Sequence, residues 1–419
     1  MISWRTPCAA TSPGKYQAPG RLTYSLIPHI LLVMNNGEEI YHGFEQGPIR
    51  PPSEASSLFI RVTRNCPWNK CTFCPVYKGA KFSSRPTEHV KRDIDEVWRH
   101  VGAIQKITAS SGTFDRQALR EYSLDFGPAE LMALQAAYHW LFTGGMKSVF
   151  LQDANSLIIK PANLVEILEH LKSRFPNVER ITSYARAQTV AHRKDDELKA
   201  IAEAGLNRIH LGLESGSDKI LNKVQKGVTK EDHIKAGCKV RQAGMELSEY
   251  VMPGLGGRTL SVEHARETAN ALNQINPDFI RLRTLAIPPG IPLFDEYQNG
   301  EFDKCTDIQI AREILLLLEN LKGITSKLRS DHILNLFEDL EGTFPDDQQR
   351  LIKILRSFLN LDPEKQRVYQ LGRRLGIFHG LADMDSPHRL ARAERACRQL
   401  NVTAENVDRV TDELMTRFV

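Results

Sequence analysis

Along the middle of this 419-residue chain, short β-type runs alternate with stretches whose apolar residues recur at helical spacing. The runs predict strands at 58–62, 148–151, 180–184, 208–213, 247–251 and 279–283. The clearest of the helices between them starts at Thr87, an N-cap candidate. Its apolar residues share one face: Val90, Ile94, Val97, Val101 and Ile104.

The order of these elements predicts the fold class. Six strands, each followed by a helix, predict a parallel sheet with right-handed crossovers. The first crossover is about 85 residues long, which predicts at least two helices where a simple unit has one. We therefore expect an α/β fold, a partial (β/α)6 parallel barrel with its active site at the C-terminal ends of the strands.

Three segments are predicted around this barrel. Residues 1–57 form an N-terminal arm and lead-in, residues 58–300 the barrel, and residues 301–419 a helical C-terminal domain. In residues 1–33 proline and glycine interrupt any periodicity, and two interpretations stay open: a flexible arm, or translation that starts at Met34. The C-terminal helices are predicted at 308–321, 346–359, 363–375 and 404–418.

Composition adds modest constraints on partners and location. A net charge of +4 allows an acidic ligand or RNA without favouring either. No run of about 18 apolar residues is present, so we expect a soluble, cytoplasmic protein without membrane contact. Four arginines recur every three residues near the C-terminus, and a solvated helix face is favoured over an RNA-binding stripe: Arg389, Arg392, Arg395 and Arg398.

Three cysteines lie within nine residues directly after the first predicted strand: Cys66, Cys71 and Cys74. Thiolates this close select zinc or an iron-sulfur cluster, and three thiolates on a four-iron cluster leave one iron open. A zinc site needs a fourth ligand, and the nearest downstream is His89, in a predicted helix. Disulfides are disfavoured, because the seven cysteines are an odd number and no secretory signal is predicted.

A strand followed by this loop, with Phe73 before the last cysteine, resembles the signature of the radical S-adenosylmethionine superfamily. The resemblance implies that the three cysteines hold a 4Fe-4S cluster and that S-adenosylmethionine chelates the open iron through its amino and carboxylate groups. The cysteine spacing departs from the usual three then two residues. Here it is four then two, so one residue among 67–70 must be looped out.

Polar residues at the ends of the second and third predicted strands are cofactor candidates. Asp153 and Asn155 resemble in position the motif that holds the amino group of the cofactor, and their oxygens can accept from an ammonium. Capping of a turn is an equally open interpretation. Ser183 and Arg186 follow, and the guanidinium can bind a carboxylate of cofactor or substrate, a solvated surface charge being the alternative.

The fourth strand ends in Gly-Leu-Glu-Ser-Gly, which resembles a signature shared by oxygen-independent coproporphyrinogen oxidases, methylthiotransferases and the elongator catalytic subunit. The resemblance implies that Glu214 and Ser215 face the cofactor ribose. The glycine-rich stretch after the fifth strand, with Met252 and Gly254, resembles the one that contacts adenine, where glycine permits close approach.

The sixth strand carries two arginines, Arg281 and Arg283, on one face. Guanidiniums that point into the barrel would suit a substrate carboxylate or phosphate, while outward-facing charges remain the alternative.

The resemblance spans about residues 58–297 and implies an enzyme that reductively cleaves S-adenosylmethionine to a 5'-deoxyadenosyl radical, which abstracts hydrogen from a substrate. We expect an acidic small-molecule substrate and an electron donor such as flavodoxin or ferredoxin, and assign no catalytic residue. Two other functions stay open: radical modification of RNA or protein, and a cysteine-metal protein without catalysis.

Overall fold

The computed structural model describes residues 34–35, 38–111 and 114–415, so the two interpretations of residues 1–33 lie outside the described part. The chain divides into two compact units, residues 1–41 and 42–419. The described part of the first unit contains a short antiparallel pair, Met34–Asn35 with Glu38–Glu39.

An eight-stranded sheet forms the centre of the second unit. Its strands, in chain order, are β1 (Leu58–Arg61), β2 (Ser148–Gln152), β3 (Arg180–Ala185), β4 (Arg208–Glu214), β5 (Glu246–Val251), β6 (Phe279–Leu282), β7 (Lys327–Arg329) and β8 (Gly342–Thr343). Strands neighbouring in sequence are neighbours in the sheet, all parallel except β8, which pairs antiparallel with β7. The predicted α/β partial barrel is confirmed, with each of the six predicted strands placed to within one residue at either end.

Helices cover the crossovers between the strands. They are α1 (Thr87–Ser111), α2 (Arg116–Tyr122), α3 (Pro128–Thr143), α4 (Pro161–Arg174), α5 (Ala187–His192), α6 (Asp195–Glu203), α7 (Asp218–Lys223), α8 (Lys230–Gln242), α9 (Gly257–Ile275), α10 (Pro292–Gln298), α11 (Asp307–Asn320), α12 (Gln348–Leu359), α13 (Pro363–Arg374), α14 (Pro387–Gln399) and α15 (Val407–Met415). The long first crossover holds α1 to α3, as expected. The predicted apolar face of α1 is buried in the core.

Alternation along the strands separates two faces of the sheet. One face is aliphatic and packs against the helices, as Ile60, Val149 and Leu151 do. The opposite, inner face carries a row of aromatic rings, in which Tyr184 lies 5.4 Å from Phe150 and 5.3 Å from His210 between ring centroids. The barrel interior is therefore lined by aromatic and polar side chains. A fully packed barrel core would be lined by aliphatic ones.

The sheet continues beyond residue 300, where the sequence predicts a separate helical domain. β7 pairs in parallel with β6, and α11 packs against α9. The predicted C-terminal helices correspond to α11, α12, α13 and α15, although residues 416–419 lie outside the described part. The domain boundary at residue 300 stays a prediction. Residues 301–419 contribute strands as well as helices.

The lead-in to β1 is held against the N-terminal part of the barrel. Gly47 N donates to Gln152 Oε1 at 2.8 Å, and the buried carboxylate of Glu54 accepts from Arg180 at 3.0 Å. Although burial opposes ionisation, the neighbouring His210, Arg180 and Ser57 lower the pKa of Glu54 to about 2. Among the described residues, no helix has the length and apolar character needed to cross a membrane.

Candidate functional site

The three cysteines lie on the loop that leaves β1 at its C-terminal end, and all three thiols are free. Cys71 is buried, whereas Cys66 and Cys74 are half-buried. The extra residue of the loop is accommodated by Asn69, which adopts a left-handed conformation with φ 47°. Asparagine tolerates this region better than most residues. The backbone N–H of Asn69 donates to Cys66 Sγ at 3.4 Å.

Segments after β4 and β6 hold the cysteine loop from outside. Thr72 N donates to Val224 O at 3.0 Å, and Leu293 N donates to Thr72 O at 3.1 Å. The Trp68 indole donates to Gln225 O at 2.7 Å and packs on Gly227, where a Cβ would lie 2.2 Å from the ring. Glycine at this position is therefore required by the docking of the loop.

Asp153 supports the same loop from the end of β2. Its carboxylate accepts from Arg61 Nε at 2.9 Å and from the backbone N–H of Asn65, the residue before Cys66, at 3.2 Å. The other oxygen lies against Gly47, where a Cβ would approach to 1.9 Å. One oxygen of the Asp153 carboxylate is therefore already engaged in holding the cysteine loop. Its predicted bond to the cofactor ammonium stays a prediction.

The candidates Asn155, Ser183 and Arg186, which follow or lie on β2 and β3, have different contacts. Asn155 Nδ2 donates to Thr189 Oγ1 at 2.8 Å and its Oδ1 accepts from Arg186 N at 3.2 Å, so both bonds link it to the segment after β3 and neither caps its own turn. Its contact with the cofactor stays a prediction. Ser183 lies on the strand face that packs against the helices, and its hydroxyl donates to Tyr184 O at 3.0 Å. Arg186 alone reaches the cysteine loop.

The guanidinium of Arg186 stacks on the Trp68 ring at 5.1 Å from the centroid. It also donates to Lys226 O at 3.1 Å. Arg186 therefore joins the cysteine loop to the segment that follows α7.

A buried ion pair lies beside the thiols at the end of β4. Lys226 Nζ is 3.0 Å from Glu214 Oε1, and both side chains are about 15% exposed or less. Glu214 has φ 60° and ends a β-bulge that starts at Gly212. A Cβ at Gly212 would lie 2.4 Å from Glu214 Oε1 and 3.0 Å from Lys226 Nζ, so a larger residue there would displace the pair from its position. The sequence analysis identified Glu214 as a site residue but missed Lys226. The one sequence feature that could have indicated Lys226 is its position directly before Gly227.

The electrostatics of the thiols depend on this lysine. Burial raises the pKa of Cys71 and of Cys74, and the Lys226 cation opposes that rise at both thiols. Because thiolates are the metal-binding form, a cation at this place favours the loaded state of the loop.

Ser215, Met252 and Gly254 belong to a buried network that fixes the glycine-rich loop after β5. Ser215 Oγ lies 3.1 Å from His264 Nδ1, and His264 Nε2 lies 2.9 Å from Met252 O, to which it can donate. Gly254, with φ 87°, donates its N–H to Glu313 Oε1 at 2.7 Å.

Ser215 thus points toward α9, on which His264 lies. His264 and Glu313 gave no sequence signal, because the bonds of His264 to Ser215 and of Glu313 to Gly254 span 49 and 59 residues of chain.

The two arginines of the sixth strand have different environments. Arg281 is buried, donates to Ser248 Oγ at 3.2 Å and pairs with Asp331 at 2.6 Å. Arg283 is exposed, and no carboxylate in the described residues lies within ion-pair distance of it. The predicted pair of free cations is thus reduced to one, because Asp331 neutralises Arg281. Burial, with help from the Arg283 charge, lowers the pKa of His332 to about 4.

The spacing of the three thiols differs from that of the ligands of a single ion. Among the described residues, the one group of three potential metal ligands whose atoms all lie within 4.8 Å of one another is Glu96, His100 and Glu130. Arg99 pairs with both carboxylates of that group. The three thiols are spread more widely. One zinc ion, about 2.3 Å from each sulfur, would need sulfurs about 4 Å apart.

Residues 60–270, half of the chain, match the family model described as the radical SAM superfamily. The tRNA uridine(34) acetyltransferase of Methanocaldococcus jannaschii is 21% identical over 267 residues, which cover 61% of this chain and 47% of that protein. The tRNA-2-methylthio-N(6)-dimethylallyladenosine synthase of Flavobacterium psychrophilum is 22% identical over 246 residues, 58% of this chain and 45% of that protein.

Among solved structures, coproporphyrinogen III oxidase from Escherichia coli is similar with a TM-score of 0.41 and 14% identity, over 63% of this chain and 52% of that chain. The chain spans about half the length of these relatives.

Proposed function

We propose that this chain, which belongs to the radical SAM superfamily, is an enzyme that holds a 4Fe-4S cluster at Cys66, Cys71 and Cys74 and binds S-adenosylmethionine beside it. When bound and reduced by one electron, these cofactors supply a 5'-deoxyadenosyl radical that takes a hydrogen atom from a substrate. The observation that carries the proposal is the juxtaposition of three free thiols with the Glu214–Lys226 pair at the C-terminal end of the barrel.

Lys226 and Glu214 would bind opposite ends of the cofactor. The methionyl carboxylate is an anion, and the Lys226 ammonium near Cys71 and Cys74 is a matching cation. Glu214 Oε2 is left to accept from ribose hydroxyls, since the ion pair with Lys226 uses Oε1. Arg186 adds a second positive charge on the same side.

The glycine-rich loop would place backbone groups against the adenine. Its position is set by the bond from Gly254 N to Glu313 and by the contact of His264 with Met252 O. A hydrogen bond to a charged group contributes about 1.5–3 kcal/mol, so Glu313 is a strong anchor for the loop.

An apolar wall lies beside Cys71 and excludes water from that side of the loop. Cys71 and Phe73, which follow β1, belong to a buried cluster with Met252, which follows β5, and with Leu285 and Ile287, which follow β6. Exclusion of water protects a reactive intermediate from side reactions.

Arg283 supports a substrate that carries an anionic group. Its exposed guanidinium lies at the end of β6, and its charge acts on Tyr184 in the aromatic row of the inner face. A carboxylate or phosphate bound to Arg283 would place the rest of the substrate over these rings. A small acidic molecule is the first candidate. RNA is the second, because two relatives carry the names of tRNA-modifying enzymes.

The metal content of anaerobically purified protein tests the cluster. We expect about four irons and four sulfides per chain, and their loss when all three cysteines are replaced by alanine. Replacement of Cys238, a half-buried thiol outside the loop, by alanine is the matched control and should leave the iron content unchanged. Zinc in place of iron, with no iron taken up on reconstitution, would overturn the proposal.

A further inference from the structure

The cysteine loop lies in a segment whose charge is entirely positive. Residues 55–87 contain six lysines and arginines and no aspartate or glutamate, although acids and bases are nearly balanced over the chain. The three arginines are neutralised from other segments: Arg61 pairs with Asp153, Arg64 with Glu45, and Arg85 with Asp93. The three lysines remain.

The charges of the three lysines are not neutralised by an acidic side chain among the described residues. Lys70 and Lys81 are exposed, and within the described part of the chain no carboxylate lies within ion-pair distance of either. Lys78 donates to Cys71 O at 2.7 Å, a bond to a neutral carbonyl that leaves its charge uncompensated. The loop is thus edged by three cations.

Along the chain, two exposed apolar residues lie between Lys70 and Lys78. Val76, two residues after Cys74, is 39% exposed, and the adjacent Pro75 is exposed as well. We call the five residues the cluster-face patch: Lys70, Pro75, Val76, Lys78 and Lys81. An apolar centre with a charged rim is the usual composition of a transient protein interface.

We propose that the cluster-face patch is the docking site of an acidic one-electron carrier protein. This rests on the proposed function, which needs one electron per cleavage at the cysteine loop. Cys66 and Cys74 are half-buried, so a protein on the patch lies a short distance from the cluster. One electron passes from the carrier, which is oxidised, to the cluster, which is reduced, and no covalent bond changes. Acidic groups around the donor's redox centre would face the lysine rim.

Two features favour a protein over RNA at this patch. The centre is aliphatic, whereas single-stranded RNA binds through aromatic platforms on which bases stack. Of the aromatic rings in this segment, Tyr77 is buried, Phe82 is half-buried, and the Trp68 ring is already in contact with Arg186 at 5.1 Å and with Lys70 at 4.9 Å.

The rate of cluster reduction in the reconstituted holoenzyme tests the proposal. The probe is a purified acidic flavodoxin reduced to its hydroquinone, with loss of the visible absorption of the oxidised cluster as the signal. Lys70→Glu and Lys81→Glu are made singly and together, and Lys353→Glu, at an exposed lysine of α12, is the matched control. A photoreduced deazaflavin, small and needing no docking surface, measures the intrinsic reducibility of each cluster.

The double variant should be reduced by flavodoxin about tenfold more slowly at low salt, and high salt should remove most of that difference. Reduction by deazaflavin and the Lys353→Glu variant should stay within about twofold of wild type.

Equal flavodoxin rates in wild type and double variant would overturn the proposal. So would an equal loss with deazaflavin, which would place the lysines in the cofactor site. Loss of tRNA binding with unchanged flavodoxin rates would assign the patch to RNA and also refute it. A protein that takes up no iron would instead contradict the proposed function.

Discussion

Breaking the Glu214–Lys226 pair should lower both the stability of the fold and the affinity for S-adenosylmethionine, and a double substitution separates the two effects. The variants are Lys226→Met, Glu214→Gln and both together. Each single substitution leaves one charge without its partner at 3.0 Å, in a place where both side chains are at most 15% exposed.

The magnitude follows from the burial of the pair. Exposed ion pairs contribute about 0–1 kcal/mol, whereas loss of one partner of a fully buried pair costs about 3–5 kcal/mol. This pair is mostly but not fully buried, so each single variant should lose about 1–3 kcal/mol of unfolding free energy. The double variant should regain most of that loss, because no unpaired charge remains.

Cofactor affinity should behave differently from stability. Each residue would bind a different part of S-adenosylmethionine, and loss of one charge-assisted bond of about 1.5–3 kcal/mol raises Kd about 10- to 150-fold. The double variant should bind at least as weakly as either single variant.

Urea unfolding of the metal-free protein gives the stability of each variant, and equilibrium dialysis of the reconstituted protein gives the Kd. Lys230→Met, which breaks a similar pair with Glu267 on α8 and α9, is the control and should leave Kd unchanged. Recovery of wild-type affinity in the double variant would refute the reasoning, since the pair would then serve the fold alone.

Glu313→Gln should raise the Kd for S-adenosylmethionine about tenfold with unchanged iron content, because a charge-assisted bond to the glycine-rich loop becomes a neutral one; dialysis and iron analysis check this. Arg281→Leu should lower the thermal midpoint by leaving Asp331 unpaired, whereas Arg283→Leu should not, as calorimetry can show. Burial lowers the pKa of His233 to about 3, so the folded state resists protonation and stability falls as pH drops below about 6.5. His233→Leu should reduce the stability lost between about pH 7 and 5 by up to about 2 kcal/mol in urea unfolding, and an unchanged loss would contradict the assignment.

The parts of the molecule that local pattern determines could be predicted from sequence. The strands show as β-type runs, and the cysteine loop is a contiguous motif at the end of β1. The spacing predicts one looped-out residue among 67–70, and the left-handed conformation of Asn69, like that of Asn65, was not predicted.

Long-range pairing is what the sequence could not supply. β7 has three residues, too few for a period of two to be visible, and it brings in the loop from which Asp331 neutralises Arg281. Glu313 lies on α11 and meets Gly254 across 59 residues. Such contacts depend on the packing of whole helices, and no local spacing encodes them.

The release of 5'-deoxyadenosine tests the central claim most directly. Anaerobically reconstituted wild-type protein, given S-adenosylmethionine and a strong one-electron reductant, should release 5'-deoxyadenosine slowly even without substrate. The variant in which Cys66, Cys71 and Cys74 are all alanine should release none. A wild-type protein that retains its iron and binds S-adenosylmethionine, yet forms no more 5'-deoxyadenosine than that variant, would contradict the account.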